Sequence, residues 1–260
     1  MAIDKEKYLL HVEDDKIIDM RRILDLIEIV LDKHIVVNTD FLDPYTVDLS
    51  RSILNRFDEI QYKVVGGFKD PERQMIIIYN SYVDDVDEAL TLTGIRIKLN
   101  TSNVEHRDVL GSLLGLGIVR EKIGDISIGE GYADIVVSST ISDFVLYNLE
   151  KVRRENVSVS IIELDDLLDI NEETFEKNYT ISSLRLDAYI SEIYNLSRLE
   201  GQNTVKSEKV KVNFKLIDKP SHTLEEGDIV SVRGKGRSTL LELNGTSKKG
   251  KTRIVVSFPA

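Results

Sequence analysis

The sequence predicts an α+β protein built in three parts with one acidic linker. Three observations predict it. Helical and strand-like periodicities come in separate blocks rather than in one repeating alternation. The middle block, residues 81–165, runs β-α-β-β-α-β, the ferredoxin-like order of an RRM-like α/β plait. Charge divides the chain as well: residues 181–260 hold 14 Lys+Arg against 9 Asp+Glu, while residues 1–180 hold 20 against 36. The formal net charge of -11 hides that split. A basic module tethered to an acidic body is the expected organisation, and a basic module draws polyanions, of which nucleic acid is the commonest.

Residues 1–80 are expected to form a small helix/hairpin unit. Ile17, Met20, Leu24, Ile27 and Leu31 recur at helical spacing. Asp43-Pro44 reads as N-cap and first turn of a second helix reaching about Phe57. EIQYKVV and QMIIIYN, separated by Gly66-Gly67 and DPER, read as two strands. In residues 81–165 GIRIKLN is a strand, and HRDVLGSLLGLG a helix stopped by glycines. Two strands are expected around Ile126–Ile128 and Ala133–Val137. TISDFVLYNLEKV should be a helix capped by Thr140, and VSVSIIEL a last strand. The central strands carry no aromatics, so base stacking of the RNA-recognition-motif kind is not expected on this sheet. Residues 166–180 are expected to be an acidic linker.

Residues 181–260 open with Ser182 or Ser183 as cap of a helix carrying Leu186, Ile190 and Ile193. After a turn at Asn195-Leu196, SRLE matches a capping box, Ser197 with Glu200. KVKVN alternates, with Val210 and Val212 on one face and Lys209, Lys211 and Asn213 on the other. DIVSVRG leads into a glycine-broken cation run, Arg233, Lys235 and Arg237. TLLELNG and RIVVSF form a hairpin with Lys248, Lys249 and Lys251 in its loop.

TISSLRLDAYI, LSR, VKVN, GDIVSVRGKGR and the GTSKKGK turn together resemble the RNA-binding domain first defined in ribosomal protein S-four. GGFKDPER, HRDVLGSLLGLGIVREKIGD and NLEKVRRENVSV extend the likeness over nearly the whole chain, which resembles the bacterial YlmH family. The resemblance implies two upstream domains, the second of them RNA-binding. It also implies binding to ribosomal RNA on the large ribosomal subunit and work on stalled ribosomes that hold peptidyl-tRNA. Carried over by motif, the RNA-binding residues are Arg185, Ser197, Arg198, Lys206, Lys209, Lys211 and Asn213, with Arg233, Lys235, Arg237, Lys248 and Lys249 from the two basic turns. The chain departs from the family's second helix at Glu200, Gly201 and Thr204, and Glu208 stands where glycine is usual. Gly201 should cost about 1 kcal/mol of helix propensity.

Other chemistry is thinly represented. His106-Arg107-Asp108 spells the HRD of a kinase loop, but no glycine-rich loop or DFG accompanies it. His106, Arg107, Arg120 and Lys122 are instead candidate secondary RNA contacts, weighed against a structural turn. Asp187 matches a pseudouridine-synthase GRLD motif superficially and is expected to orient Arg185. Cysteine is absent, and the four histidines, His11, His34, His106 and His222, have no metal-ligand spacing. The Asp84-Asp85-Val86-Asp87 run lacks EF-hand spacing. No catalytic residue, cofactor, metal, small-molecule substrate or membrane partner is therefore expected. The start has neither region of a signal peptide, and no apolar run approaches the length of a bilayer span, so a cytoplasmic protein is expected. Two rival classes remain open, an RNA-modifying enzyme with a catalytic middle domain and a protein-interaction scaffold linked to cell division.

Overall fold

A computed structural model describes residues 3–83, 86, 89–99, 104–168, 174–247 and 250–259. The chain divides into two compact units, Met1–Asn171 and Glu172–Ala260. No described helix is long and apolar enough to cross a membrane.

The first unit starts with α1 (Lys5–Leu9) and α2 (Ile17–Lys33). The apolar stripe of α2 buries Met20, Ile23, Leu24, Ile27 and Val30. The helix ends at His34, which turns left-handed at φ 56°. The Asn80 side-chain amide donates to the Val30 carbonyl at 3.0 Å, a second bond to the carbonyl that the His34 amide caps at 2.9 Å. After β1 (Val37–Asn38), α3 (Pro44–Leu54) begins as the sequence predicts, with the Thr46 amide donating to Asp43 at 2.8 Å. β2 (Ile60–Val65) and β3 (Met75–Asn80) complete an antiparallel sheet ordered β1-β3-β2.

The same unit continues through β4 (Leu92–Lys98), α4 (His106–Gly115), β5 (Ile123–Gly129), β6 (Tyr132–Ser138) and α5 (Ser142–Asn148). A hairpin of β7 (Lys151–Val152) and β8 (Glu155–Asn156) then precedes β9 (Ser158–Ile162). The four-stranded sheet is ordered β5-β6-β4-β9, every neighbour antiparallel. It buries Ile95, Ile97, Ile135 and Val137 together with Val109 and Leu113 of α4 and Val145 of α5.

Helix α5 is shorter than its sequence pattern suggests. Leu149 leaves the helix to enter the core, and the Val157 amide donates to the Glu150 carbonyl, closing the hairpin. Thr140 does not cap it. Its hydroxyl pairs with Ser138 in a 3-10 turn at Ser139–Ile141.

The two halves of this unit share a core of Phe41, Phe68, Met75, Leu92 and Val136. Polar groups reinforce it. Asp125, 9% exposed, accepts the backbone amides of Glu72 and Arg73 at 2.7 and 3.1 Å. Arg73 donates to the Ile123 and Phe41 carbonyls, and Arg120 donates to Ile123 and Gly124 carbonyls. Burial pushes both guanidiniums down, Arg120 to about 10, with the Arg73 charge adding to the effect.

The second unit comprises β10 (Thr174–Ile181), α6 (Leu186–Ile193), α7 (Arg198–Lys206), β11 (Val210–Val212), β12 (Lys215–Leu216), β13 (Ile229–Val232), β14 (Gly236–Thr246) and β15 (Thr252–Pro259). They form one antiparallel sheet ordered β10-β15-β14-β13-β11-β12. The expected linker at 166–180 is therefore corrected over much of its length. Thr174–Ile181 pairs with β15 along its whole length as an edge strand, and edge strands tolerate the charges that disguise it in the sequence. Residues 169–173 lie outside the described residues. Neither Ser182 nor Ser183 caps α6. Arg185 stands at the N-cap, and the Pro220 and His222 carbonyls accept the Asp187 and Leu186 amides in place of a serine hydroxyl.

Helices α6 and α7 cross closely at Gly201. A Cβ there would meet Ser191 Oγ at 2.1 Å and the Asp187 carbonyl oxygen at 2.8 Å. Close packing outweighs helix propensity at this position. Gly201→Ala should lower stability by about 1–3 kcal/mol, measured by urea unfolding, even though alanine is the better helix former. An equal or higher midpoint would mean that the helix pair separates at no cost.

Candidate nucleic-acid interface

The site grows out of strand alternation. Val210, Val212, Val230 and Val232 face the core of the second unit, so the residues between them face away. On that outer face Lys211 of β11 opposes Ser231 of β13, and Ser231 opposes Arg237 of β14. The Arg233 amide donates to the Lys209 carbonyl at 2.8 Å, holding two further cations side by side. Gly234 and Gly236 take φ of 77° and 106°, which lets the chain turn tightly around Lys235. An open cleft of about 540 Å³ results, lined by Lys209, Lys211, Arg233 and Arg237 with a single acid, Glu208. The Arg237 guanidinium lies 5.2 Å from the Phe214 ring centroid, a cation–π contact that orients it.

The helix pair adds a second group. Asp187, 0% exposed, takes both guanidinium arms of Arg185 at 3.0 and 2.8 Å, the Ala188 amide at 2.9 Å and the Gln202 side chain at 3.2 Å. The hydrogen bond from Arg185 holds the Asp187 carboxyl below the usual aspartate range and raises the arginine in turn. Asp187 thus positions Arg185. The capping box forms as the sequence predicts, the Ser197 amide donating to Glu200 at 2.8 Å and the Glu200 amide to the Ser197 hydroxyl at 3.2 Å. The Ser197 hydrogen bonds depress the Glu200 carboxyl, and the charge of Lys235 contributes. Arg198 and Lys206 are exposed at the two ends of α7.

Several carried-over residues have other employment. Asn213 and Phe214, at φ of 49° and 66°, make the two-residue turn between β11 and β12. The Asn213 side chain donates to Asp228 and accepts from the Ile229 amide, so both its groups serve the turn. Ser197 is a helix cap. Lys248 and Lys249 lie outside the described residues, as does the Asp84, Asp85 and Asp87 run. In the first unit His106 and Arg107 occupy the first turn of α4, and Arg107, 79% exposed, pairs with Glu105 at 2.9 Å. Arg120 is engaged with backbone carbonyls, and Lys122 pairs with Asp40 at 2.6 Å, so both serve the fold of that unit. Motif reasoning does not reach Ser231 or Phe214. Alternation in Ile229–Val232 could have found the first, but nothing in the sequence signals the stack on the second. Among the described residues no cluster of His, Cys, Asp or Glu could hold a metal ion.

Fold and site define a protein carrying an RNA-binding module of S4 type. Residues 184–230 match the family model described as "S4 domain". Residues 15–83 match "YlmH, N-terminal", and residues 84–166 match "Putative RNA-binding domain in YlmH". The chain is 33% identical over 246 residues to the ribosome-associated protein quality control protein P2 of Bacillus subtilis (strain 168), covering 94% of this chain and 95% of that protein. It belongs to the YlmH family. A solved structure titled "Cell division protein ylmH from Streptococcus pneumoniae" shares the fold, with a TM-score of 0.55 at 19% identity, over 61% of this chain and 98% of that one.

Glu208 supplies a test of the site. It sits at φ 57°, where a non-glycine residue is strained and glycine would relax the turn. Glu208→Gly should stabilise the protein by about 1 kcal/mol in urea unfolding and, by removing the acid from the cleft, tighten RNA binding at low salt. A loss of either would contradict the role given to this turn.

The Asp187–Arg185 pair sets a pH signature. A depressed carboxylate contributes stability above its unfolded pKa of about 3.9 and loses it as pH falls through the lower folded value. The stability gap between wild type and Asp187→Asn should therefore narrow below about pH 4. A gap independent of pH would assign the effect to packing alone.

Proposed function

We propose that this protein binds structured ribosomal RNA on the large ribosomal subunit and acts, without catalysis, in quality control of stalled ribosomes that carry peptidyl-tRNA. The observation that carries the reading is the cleft bearing Lys209, Lys211, Arg233 and Arg237 on rigid strands and tight turns. Dense phosphates supply most of the affinity of such a surface, and guanidinium groups can grip a phosphate with two hydrogen bonds at once. Arg185, Arg198, Lys206 and Lys235 extend the contact along the helix pair. The B. subtilis relative's name supports the ribosomal and quality-control part, and points to a cytoplasmic protein.

The first unit serves as a positioning body. Its middle segment is read as ferredoxin-like on its strand order, and Arg107 and His106 remain its candidates for a secondary RNA or tRNA contact. Asp187 supports the non-catalytic reading from its own side. An acid that holds an arginine, a backbone amide and a glutamine has no lone pair turned toward a substrate.

On a density gradient the protein should co-sediment with large ribosomal subunits at low salt and dissociate as salt rises. Migration only with free protein would overturn the proposal. Lys211→Ala combined with Arg233→Ala should reduce the log–log salt slope by about 1.4–1.8, roughly 0.7–0.9 per phosphate contact. An unchanged slope would remove both residues from the interface.

A further inference from the structure

One end of the second unit's sheet gathers groups that the cationic cleft does not use. Phe175 of β10 and Phe258 of β15 stand directly opposite each other in the ladder. Their rings stack, with centroids 5.3 Å apart and planes within 17°. Tyr179 meets Phe258 edge-on at 6.3 Å and anchors the pair to the core. Phe175 itself is 42% exposed, and residues 174–178 all lie at the surface. Lys177, two residues along β10 on the same face, holds its ammonium 5.0 Å from the Phe175 centroid and 5.9 Å from that of Phe258.

Strand register places these rings at the end of the sheet that carries the basic turn. Thr174 opposes Pro259 at the end of β15, and Ser257 opposes Thr239 near the start of β14. β14 begins at Gly236, which opposes Val232, the residue before Arg233. β10 and the end of β13 are thus three strand spacings apart, about 14 Å. The rings lie on the helix-bearing face. The Tyr194 hydroxyl donates to the Gly236 carbonyl on that face.

We propose that Phe175 and Phe258 form a stacking platform for an unpaired base of the RNA whose phosphates occupy the cleft, with Lys177 turning from the rings to that nucleotide's phosphate. The inference rests on the RNA-binding reading and deepens it. A phosphate cleft alone reads shape and charge. An aromatic face at the same end of the sheet, on the side opposite Lys211 and Arg237, captures a splayed-out base of an RNA that rounds that end, and single-stranded loops and bulges offer such bases. Every base has a π-face, so the platform favours unpaired over paired nucleotides without choosing strongly among the four. It lies on β10 and β15, outside the residues that match the S4 family model, and so adds to that module.

The test uses the full chain and two RNA stem–loops of identical stem, one with an adenine loop and one with an abasic loop. Their affinities are compared by fluorescence anisotropy over a range of salt. Wild type should bind the adenine loop about tenfold tighter or more. Phe175→Leu, which keeps apolar bulk but removes the ring, should abolish that preference. It should leave the affinity for the abasic loop and the salt slope unchanged. A 2-aminopurine placed in the loop should be quenched by wild type and not by the variant.

Equal affinity of wild type for both loops, or a preference that survives Phe175→Leu, overturns the platform and leaves the phosphate cleft standing. A loss for both loops together, with a lower thermal midpoint, assigns the rings to the core and also overturns it. If wild type binds neither RNA in dilute buffer, the RNA-binding proposal itself fails and the platform with it. An aromatic patch covered by protein instead of RNA would show as absent quenching despite tight binding to both stem–loops.

Discussion

The placement of cations in the second unit depends on left-handed backbone at the ends of its strands. Glu208, Asn213, Phe214, Gly234 and Gly236 all have positive φ, and each lies within two residues of a cation at the sheet's edge. Such turns are short and stiff. They commit Lys209, Arg233 and Lys235 to one end of the sheet, while alternation turns Lys211 and Arg237 to its outer face. Charges on long flexible loops would pay ordering entropy for every phosphate they gripped, and these are ordered beforehand.

The helix pair works under the same economy of space. Gly201 lets α7 approach α6 until Ser191 and the Asp187 carbonyl fill the place a side chain would take. That approach brings Gln202 within reach of Asp187, both of whose oxygens hold Arg185. A buried carboxylate is tolerated here because it is fully hydrogen-bonded and faces a guanidinium. Asp187, which matches a catalytic motif superficially, is a strut. Glu200 is likewise engaged by its own helix start.

In the first unit, buried cations tie the structure together. Arg73 and Arg120 spend their donors on carbonyls of the β5 region and on Phe41, and Asp125 receives two amides from the Glu72-Arg73 turn. Close contacts join the same places: a Cβ at Gly124 would strike the Phe41 ring at 2.7 Å, and one at Gly67 the Val136 side chain at 2.8 Å. The helix/hairpin part and the four-stranded sheet accordingly share a core instead of meeting as loosely tethered domains.

Much was legible before any coordinates. The α2 stripe, the Asp43 cap, the Ser197–Glu200 capping box and the β-α-β-β-α-β order are local patterns, written in residues a few positions apart, and hydrogen bonding between near neighbours decides them. The charge split is also a property of the chain alone. Tertiary structure decided what depends on distant partners. Arg120 and Lys122 look like secondary RNA contacts until Gly124 and Asp40 claim them. Thr174–Ile181 looks like a linker until β15 pairs with it, and Gly201 looks like a defect until Ser191 packs against it. The sequence by itself determined most of the helices and the longer strands and that its cations collect near one end, because those follow from composition and short-range periodicity. Which of the cations face solvent together was settled only by folding, because register and burial depend on residues tens of positions away.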